Sequence, residues 1–271
     1  MNKNCSRGKK LIILRDVYDK EKAKIAGAIE QDPVVFVHKY KKVLDQEIAG
    51  FMASQFAYGN IKAMKQFMAR LFDAMGESPY AFVRKGDFSS VNRLYYRFQK
   101  GEEIIDLFET VRRIINDYGS IGAMFKAEYK GDIREALWSA RERYFNQDPD
   151  RLIFFFPKRS PTNPLKRWNL YLRWMVRKDA IDVGIWPFIE RKDLIIPLDT
   201  HLYKIGRCLG WTSSRTQSWK AACDITAALR KHSPADPLKY DFFLCHMVGI
   251  DAGCTGSKGK GCAERCRVYE I

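Results

Sequence analysis

The residues best able to do chemistry lie between positions 157 and 210. Asp199 follows Ile196-Pro197-Leu198 and precedes Thr200-His201-Leu202. A proline and apolar residues before it, with a helical pattern after it, put its carboxylate at or near a helix N-cap, where it accepts backbone N–H bonds. Such a group is either a plain cap or a fixed negative charge offered to a cationic centre. Upstream, Lys166, Asn169, Arg173 and Arg177 are spaced three, four and four apart. That spacing makes one narrow polar stripe on a helix. The remaining faces carry Leu165, Trp168, Leu170, Tyr171, Leu172, Trp174, Met175 and Val176, so the helix should be buried. A basic stripe on a buried helix must meet a cleft, buried carboxylates or a bound anion; a stripe that simply faces solvent is the other reading.

The seven cysteines form an odd set and read as thiols or metal ligands rather than a disulfide framework. Cys254, Cys262 and Cys266 have seven and three residues between them, and Cys245 lies upstream in an apolar segment. His201 and His246 read as packing or capping residues.

The surrounding composition bounds the partner. Over 271 residues, 47 Lys+Arg stand against 32 Asp+Glu, a net charge of +15. The excess is +5 over residues 1–150 and +10 over residues 151–271. This favours a polyanion, nucleic acid first, over a generally basic surface. No apolar run approaches the ~20 residues of a membrane helix; Leu152-Ile153-Phe154-Phe155-Phe156 is only five long. The expectation is a monomer in the cytoplasm with no membrane partner.

Helical periodicity dominates, without alternating strand patterns. Helices are expected over 45–74, broken at Tyr58-Gly59-Asn60, then over 101–118, 132–145, 165–178, 200–209, 214–231 and 237–249. Loops are expected at 157–164, 184–197 and 253–261. The expected fold is all-α, with two helical lobes and a cleft between them: residues 40–160 in one, residues 1–39 plus 161–271 in the other.

With these elements in place, Leu165-Lys166-Arg167-Trp168-Asn169 followed by Pro197-Leu198-Asp199-Thr200-His201 resembles the signature of the helix-hairpin-helix DNA glycosylases, such as endonuclease III and the 8-oxoguanine glycosylases. Lys166 falls on that family's lysine and Asp199 on its aspartate. Residues Ile48–Phe72 and Phe242–Gly249 are similar to its flanking helices. The chain departs from the pattern at the hairpin, where a Leu-Pro-Gly-Val-Gly run is replaced by Ser160-Pro161-Thr162-Asn163-Pro164. Glycines there would let backbone amides approach a phosphate; here Lys158, Arg159, Ser160 and Thr162 are expected to take over that grip. The stretch from Lys166 to Asp199 is also longer, adding a loop around Trp186-Pro187-Phe188.

The resemblance implies a base-excision repair enzyme, a DNA N-glycosylase with AP-lyase activity on double-stranded DNA carrying a damaged base, with oxidised purine the preferred lesion. Asp199 would stabilise positive charge on the sugar and the neutral Lys166 amine would attack C1′. Arg167, Asn169, Arg173 and Gln55 join the hairpin residues as expected DNA contacts. Arg177 is expected to pair a buried acid such as Asp182 or Asp193 of the other lobe; Arg173 could do that or contact phosphate. The alternative function is a non-catalytic nucleic-acid-binding protein on the same scaffold. Some members carry a four-cysteine iron–sulfur loop near this C-terminus, but with different spacings. A tail without a cofactor is therefore expected, and a [4Fe–4S] cluster on Cys245, Cys254, Cys262 and Cys266 is the alternative.

Overall fold

A computed structural model describes residues 3–270, and among these the fold is all-α, with no strand beyond an isolated bridge between Tyr96 and Gln99. The chain forms two compact units. One comprises Gln31–Ser160 with Val183–Phe188, the other Met1–Glu30, Pro161–Asp182 and Ile189–Ile271. The boundary differs from the expected one, because residues 31–39 and 183–188 go with the middle of the chain.

The middle unit holds α2 (Val35–His38), α3 (Val43–Gln55), α4 (Ile61–Met75), α5 (Pro79–Lys85), α6 (Gly101–Tyr118), α7 (Ile121–Glu128) and α8 (Ile133–Phe145). Its helix starts are written locally: Asn60, Ser78, Ser120 and Asp132 each accept a first-turn N–H at the start of α4, α5, α7 and α8, satisfying donors the helix leaves orphaned. Phe51, Phe56, Phe67, Phe108, Phe125, Phe155 and Phe156 are fully buried. The five-residue apolar run is a turn, not a helix, and swings Phe155 and Phe156 inward. Leu152 takes a left-handed conformation there (φ 50°), and the buried Arg141 guanidinium ties the turn by donating to the carbonyls of Phe156 and Pro149.

The extra loop is part of this unit. Trp186 is buried, stacks on Phe188 and packs against Phe125. Its indole N–H donates to Glu47 Oε1 at 2.8 Å, while Gly122 N–H donates to Glu47 Oε2 at 3.1 Å. A Cβ on Gly122 would stand 2.3 Å from Glu47 Oε1 and 2.6 Å from the indole nitrogen, so only glycine admits this approach.

The second unit holds α1 (Lys3–Gly27), α9 (Lys166–Val176), α10 (Thr200–Cys208), α11 (Trp219–Arg230), α12 (Asp241–Phe243) running into a π-helix (Leu244–Asp251), and α13 (Cys262–Arg265). Tyr18 of α1 makes edge contacts with Tyr240 and Phe243. α9 is buried from Trp168 to Val176, as its apolar faces require. From Asn169 onward its stripe does not face solvent; it is spent inside this unit.

Candidate functional site

The expected catalytic residues, Lys166 and Asp199, both lie in the second unit, each at the start of a helix. Lys166 is the first residue of α9, reached through Leu165 in a left-handed conformation (φ 49°). The hairpin thus places a leucine, not a glycine, in its tightest turn. Asn163 Oδ1 accepts the Leu165 N–H at 2.9 Å, and Asn169 Nδ2 donates back to the Pro164 carbonyl at 3.0 Å. These bonds fix the angle at which Lys166 leaves the loop. Asp199 is the N-cap of α10: its Oδ1 accepts the Leu202 N–H at 2.8 Å. Its other oxygen accepts the Cys245 thiol from the π-helix, at 3.2 Å.

Burial, then the carboxylates of Asp199 and Asp241, push the Cys245 thiol well above the ordinary value, while the Lys166 ammonium pulls the other way. The thiol is therefore held protonated, as a donor to Asp199. Lys166, Asp199, Asp241 and Cys245 form one electrostatic neighbourhood. Close packing between α10 and the π-helix makes this approach feasible, since a Cβ on Gly249 would lie 2.6 Å from His201 Cβ. An insertion that shifts a helix to π geometry re-aims side chains and recurs at functional sites; here it falls on the turn that carries Cys245.

Farther along α9 the stripe meets acids. Arg173 pairs with Asp182 (3.2 Å) and with Asp241. Arg177 pairs with Asp182, with Asp236 at 2.9 Å and with Asp179 at 2.9 Å. Burial works against the Arg177 charge, but Asp182, Asp236 and Asp179 together hold its guanidinium above its ordinary value. Burial pushes the Asp182 carboxyl up, and the two guanidiniums pull it back.

These positions correct several expectations. Arg173 is 3% exposed and committed to carboxylates, which removes it from the DNA-contact set. Asn169 is 1% exposed and serves the hairpin backbone. Gln55 is fully buried in the middle unit, its amide on Ser54, and cannot fill a gap in DNA. Asp182 does pair with Arg177, but within the same unit, and Asp193 is an exposed residue of that unit too. Of the hairpin set, Lys158, Arg159 and Ser160 belong to the middle unit. Lys158 is exposed and bridges Asp150 at 2.8 Å; Arg159 bridges Glu135 at 3.2 Å and lies 4.3 Å over the Trp138 ring. Ser160 is partly buried. Thr162 and Arg167 belong to the second unit, where Thr162 is exposed and its carbonyl accepts the Trp219 N–H at 2.8 Å.

Sequence reasoning considered Cys245 only as a ligand of the alternative cluster and did not single out Asp241. The signal was present: Asp241 and Cys245 are four apart, hence on one helix face. Cys245 is turned to Asp199, away from the tail. The thiol that accompanies Cys254, Cys262 and Cys266 is Cys208, at the end of α10. Among the described residues no three His, Cys, Asp or Glu side chains converge tightly enough to hold a single metal ion, and no helix is long and apolar enough to cross a membrane.

Residues 32–250 match a protein-family model described as a protein of unknown function (DUF2400). No curated protein and no solved structure matches the chain.

Proposed function

The chain belongs to the DUF2400 family, whose description names no activity, and we propose from its site that it is a DNA glycosylase with AP-lyase activity. The observation that carries this reading is that Lys166 and Asp199 open two helices of one unit, with Cys245 bonded to Asp199 and within the electrostatic reach of Lys166. Two helix starts also favour anionic ligands.

In this reading the target nucleotide is flipped from the stack. Asp199 faces the sugar as its C1′–base bond breaks, with the bond electrons leaving on the base, which takes up a proton. The cap bond from Leu202 and the Cys245 thiol hold the carboxylate in place, so little reorganisation is needed as positive charge develops. The Lys166 nitrogen bonds to C1′ and loses a proton; the C1′–O4′ bond then opens, with O4′ taking up a proton, to give a Schiff base from which loss of a C2′ proton eliminates the 3′ phosphate. Thr162 and Arg167, in the same unit as the catalytic pair, supply a sequence-independent grip on the backbone.

The test is a panel of duplexes each carrying one lesion, with released base measured by chromatography. Release from oxidised-purine duplexes is expected, falling about 100-fold or more in Asp199→Asn with DNA affinity retained. Binding to every duplex with no base released would overturn the reading and leave a non-catalytic binding protein.

A further inference from the structure

A second constellation lies within the middle unit and owes nothing to the catalytic reading. A cavity of about 370 Å³ is bounded by α6, the end of α8 and the turn that follows it, and Arg113, Arg143 and Arg151 all line it. Carboxylates hold two of these guanidiniums by one edge only. Arg143 Nε donates to Asp117 at 3.1 Å, and Arg151 donates through Nε and Nη2 to Asp106 at 3.2 and 2.5 Å. Arg113 makes no ion pair among the described residues; its Nη1 donates to the Tyr144 carbonyl at 3.4 Å. That bond covers part of the carbonyl end of α8, which would otherwise repel an anion. The other donors of the three arginines make no hydrogen bond to the described residues. Arg141 reaches the same turn. It is buried, and it donates to the Pro149 and Phe156 carbonyls with no ion pair among the described residues, so its charge adds to that of the wall.

We propose that this cavity binds a small phosphorylated sugar, with its phosphate on the three arginines. Guanidinium forks match phosphate oxygens and stay charged at any working pH. A phosphate monoester carries between one and two negative charges at neutral pH, whereas each phosphodiester of a DNA backbone carries one. The volume is at the low end of small-molecule sites, which span roughly 300–1,000 Å³, so there is room for more than the phosphate. The rest of the wall suits hydroxyls: the exposed side chains of Asn146, Gln147 and Asp148 line it, and amides and a carboxylate bond hydroxyl groups. Asp148 is the one acid on the wall. It repels a bare anion and accepts from a hydroxyl, so it favours a sugar phosphate over inorganic phosphate. The aromatic rings of the wall are already covered, which argues against a nucleotide base stacking there. The Tyr144 ring has the Arg113 and Arg143 guanidiniums at 5.1 and 6.0 Å, and the Phe145 ring has Arg141 and Phe156 at 5.2 Å each.

Calorimetric titration of the full-length protein with ribose 5-phosphate should show saturable binding at one site per chain, tighter than that of inorganic phosphate, and no binding of ribose. Arg113→Gln should weaken it by about tenfold or more. Arg151→Gln, with helical content checked by circular dichroism, repeats the test if Arg113→Gln does not fold. Asp148→Asn should bind inorganic phosphate more tightly and lose part of the preference for the sugar phosphate. Lys220→Gln, on an exposed lysine of α11 in the other unit, should leave the titration unchanged. No saturable binding to the wild-type protein, equal affinity for ribose 5-phosphate and inorganic phosphate, or binding that both folded arginine variants retain overturns the proposal. So does displacement of ribose 5-phosphate by a duplex with 5′-hydroxyl ends, which would make these arginines a contact for the DNA backbone.

Discussion

Arg177 shows how a basic side chain on a buried helix finds the acids it requires. Its guanidinium is 5% exposed and meets three carboxylates. Removing it strands Asp182 in the interior with half its compensation gone. Arg177→Ala should therefore cost about 3–5 kcal/mol and lower Tm by on the order of 10 °C. An unchanged Tm with a shallower salt dependence of DNA affinity would make Arg177 a phosphate contact instead. The sequence showed that α9 is buried and that its stripe needs partners. It named Asp182 but not the others, because Asp236 lies 59 residues from Arg177 and Asp241 68 from Arg173, and only the fold brings them to α9. The Asp199 cap was legible because the proline and apolar residues before it and the helical pattern after it are local. Cys208 was not, because nothing local to α10 points to a tail that begins 45 residues later.

At the scale of elements, two close approaches decide the geometry. Gly249 lets the π-helix lie against His201 of α10, so Gly249→Val should push Cys245 away from Asp199. Base release should fall in that variant more than DNA affinity does; equal losses would mean that the packing merely supports folding. In the middle unit, Glu47 holds the inserted Trp186 loop to α7. Burial raises its carboxyl above the ordinary value, against the hydrogen bonds of Gly122 and Trp186. A carboxyl raised on folding contributes stability that is fully present below its unfolded pKa and is lost as pH rises through the folded one. Wild-type Tm should thus fall relative to Glu47→Gln as pH climbs from 4 to neutrality. Parallel Tm profiles would show that Glu47 titrates alike in both states. The longer loop was visible as an insertion, but its membership of the middle unit was not: a single tryptophan and a buried carboxylate 139 positions apart place it there.

The whole molecule carries +15, and its C-terminal half carries twice the excess of the N-terminal half. Part of that charge is internal, since Arg173, Arg177 and Arg141 are buried, so fewer cations are available to DNA than the total suggests. Arg167, partly exposed in the first turn of α9, should be one of them: Arg167→Ala should reduce the slope of log affinity against log salt by about one. A full slope with lower Tm would place Arg167 in the fold instead. The central claim is that Lys166 is a nucleophile and Asp199 its electrostatic partner. Borohydride reduction of the protein on duplex DNA carrying an abasic site or an oxidised purine tests it most directly. The predicted result is a covalent protein–DNA adduct that maps to Lys166, disappears in Lys166→Ala, and forms far more slowly in Asp199→Asn on the base-bearing duplex than on the abasic one. An adduct of undiminished yield in Lys166→Ala, or none on either duplex from protein that binds both, would contradict it.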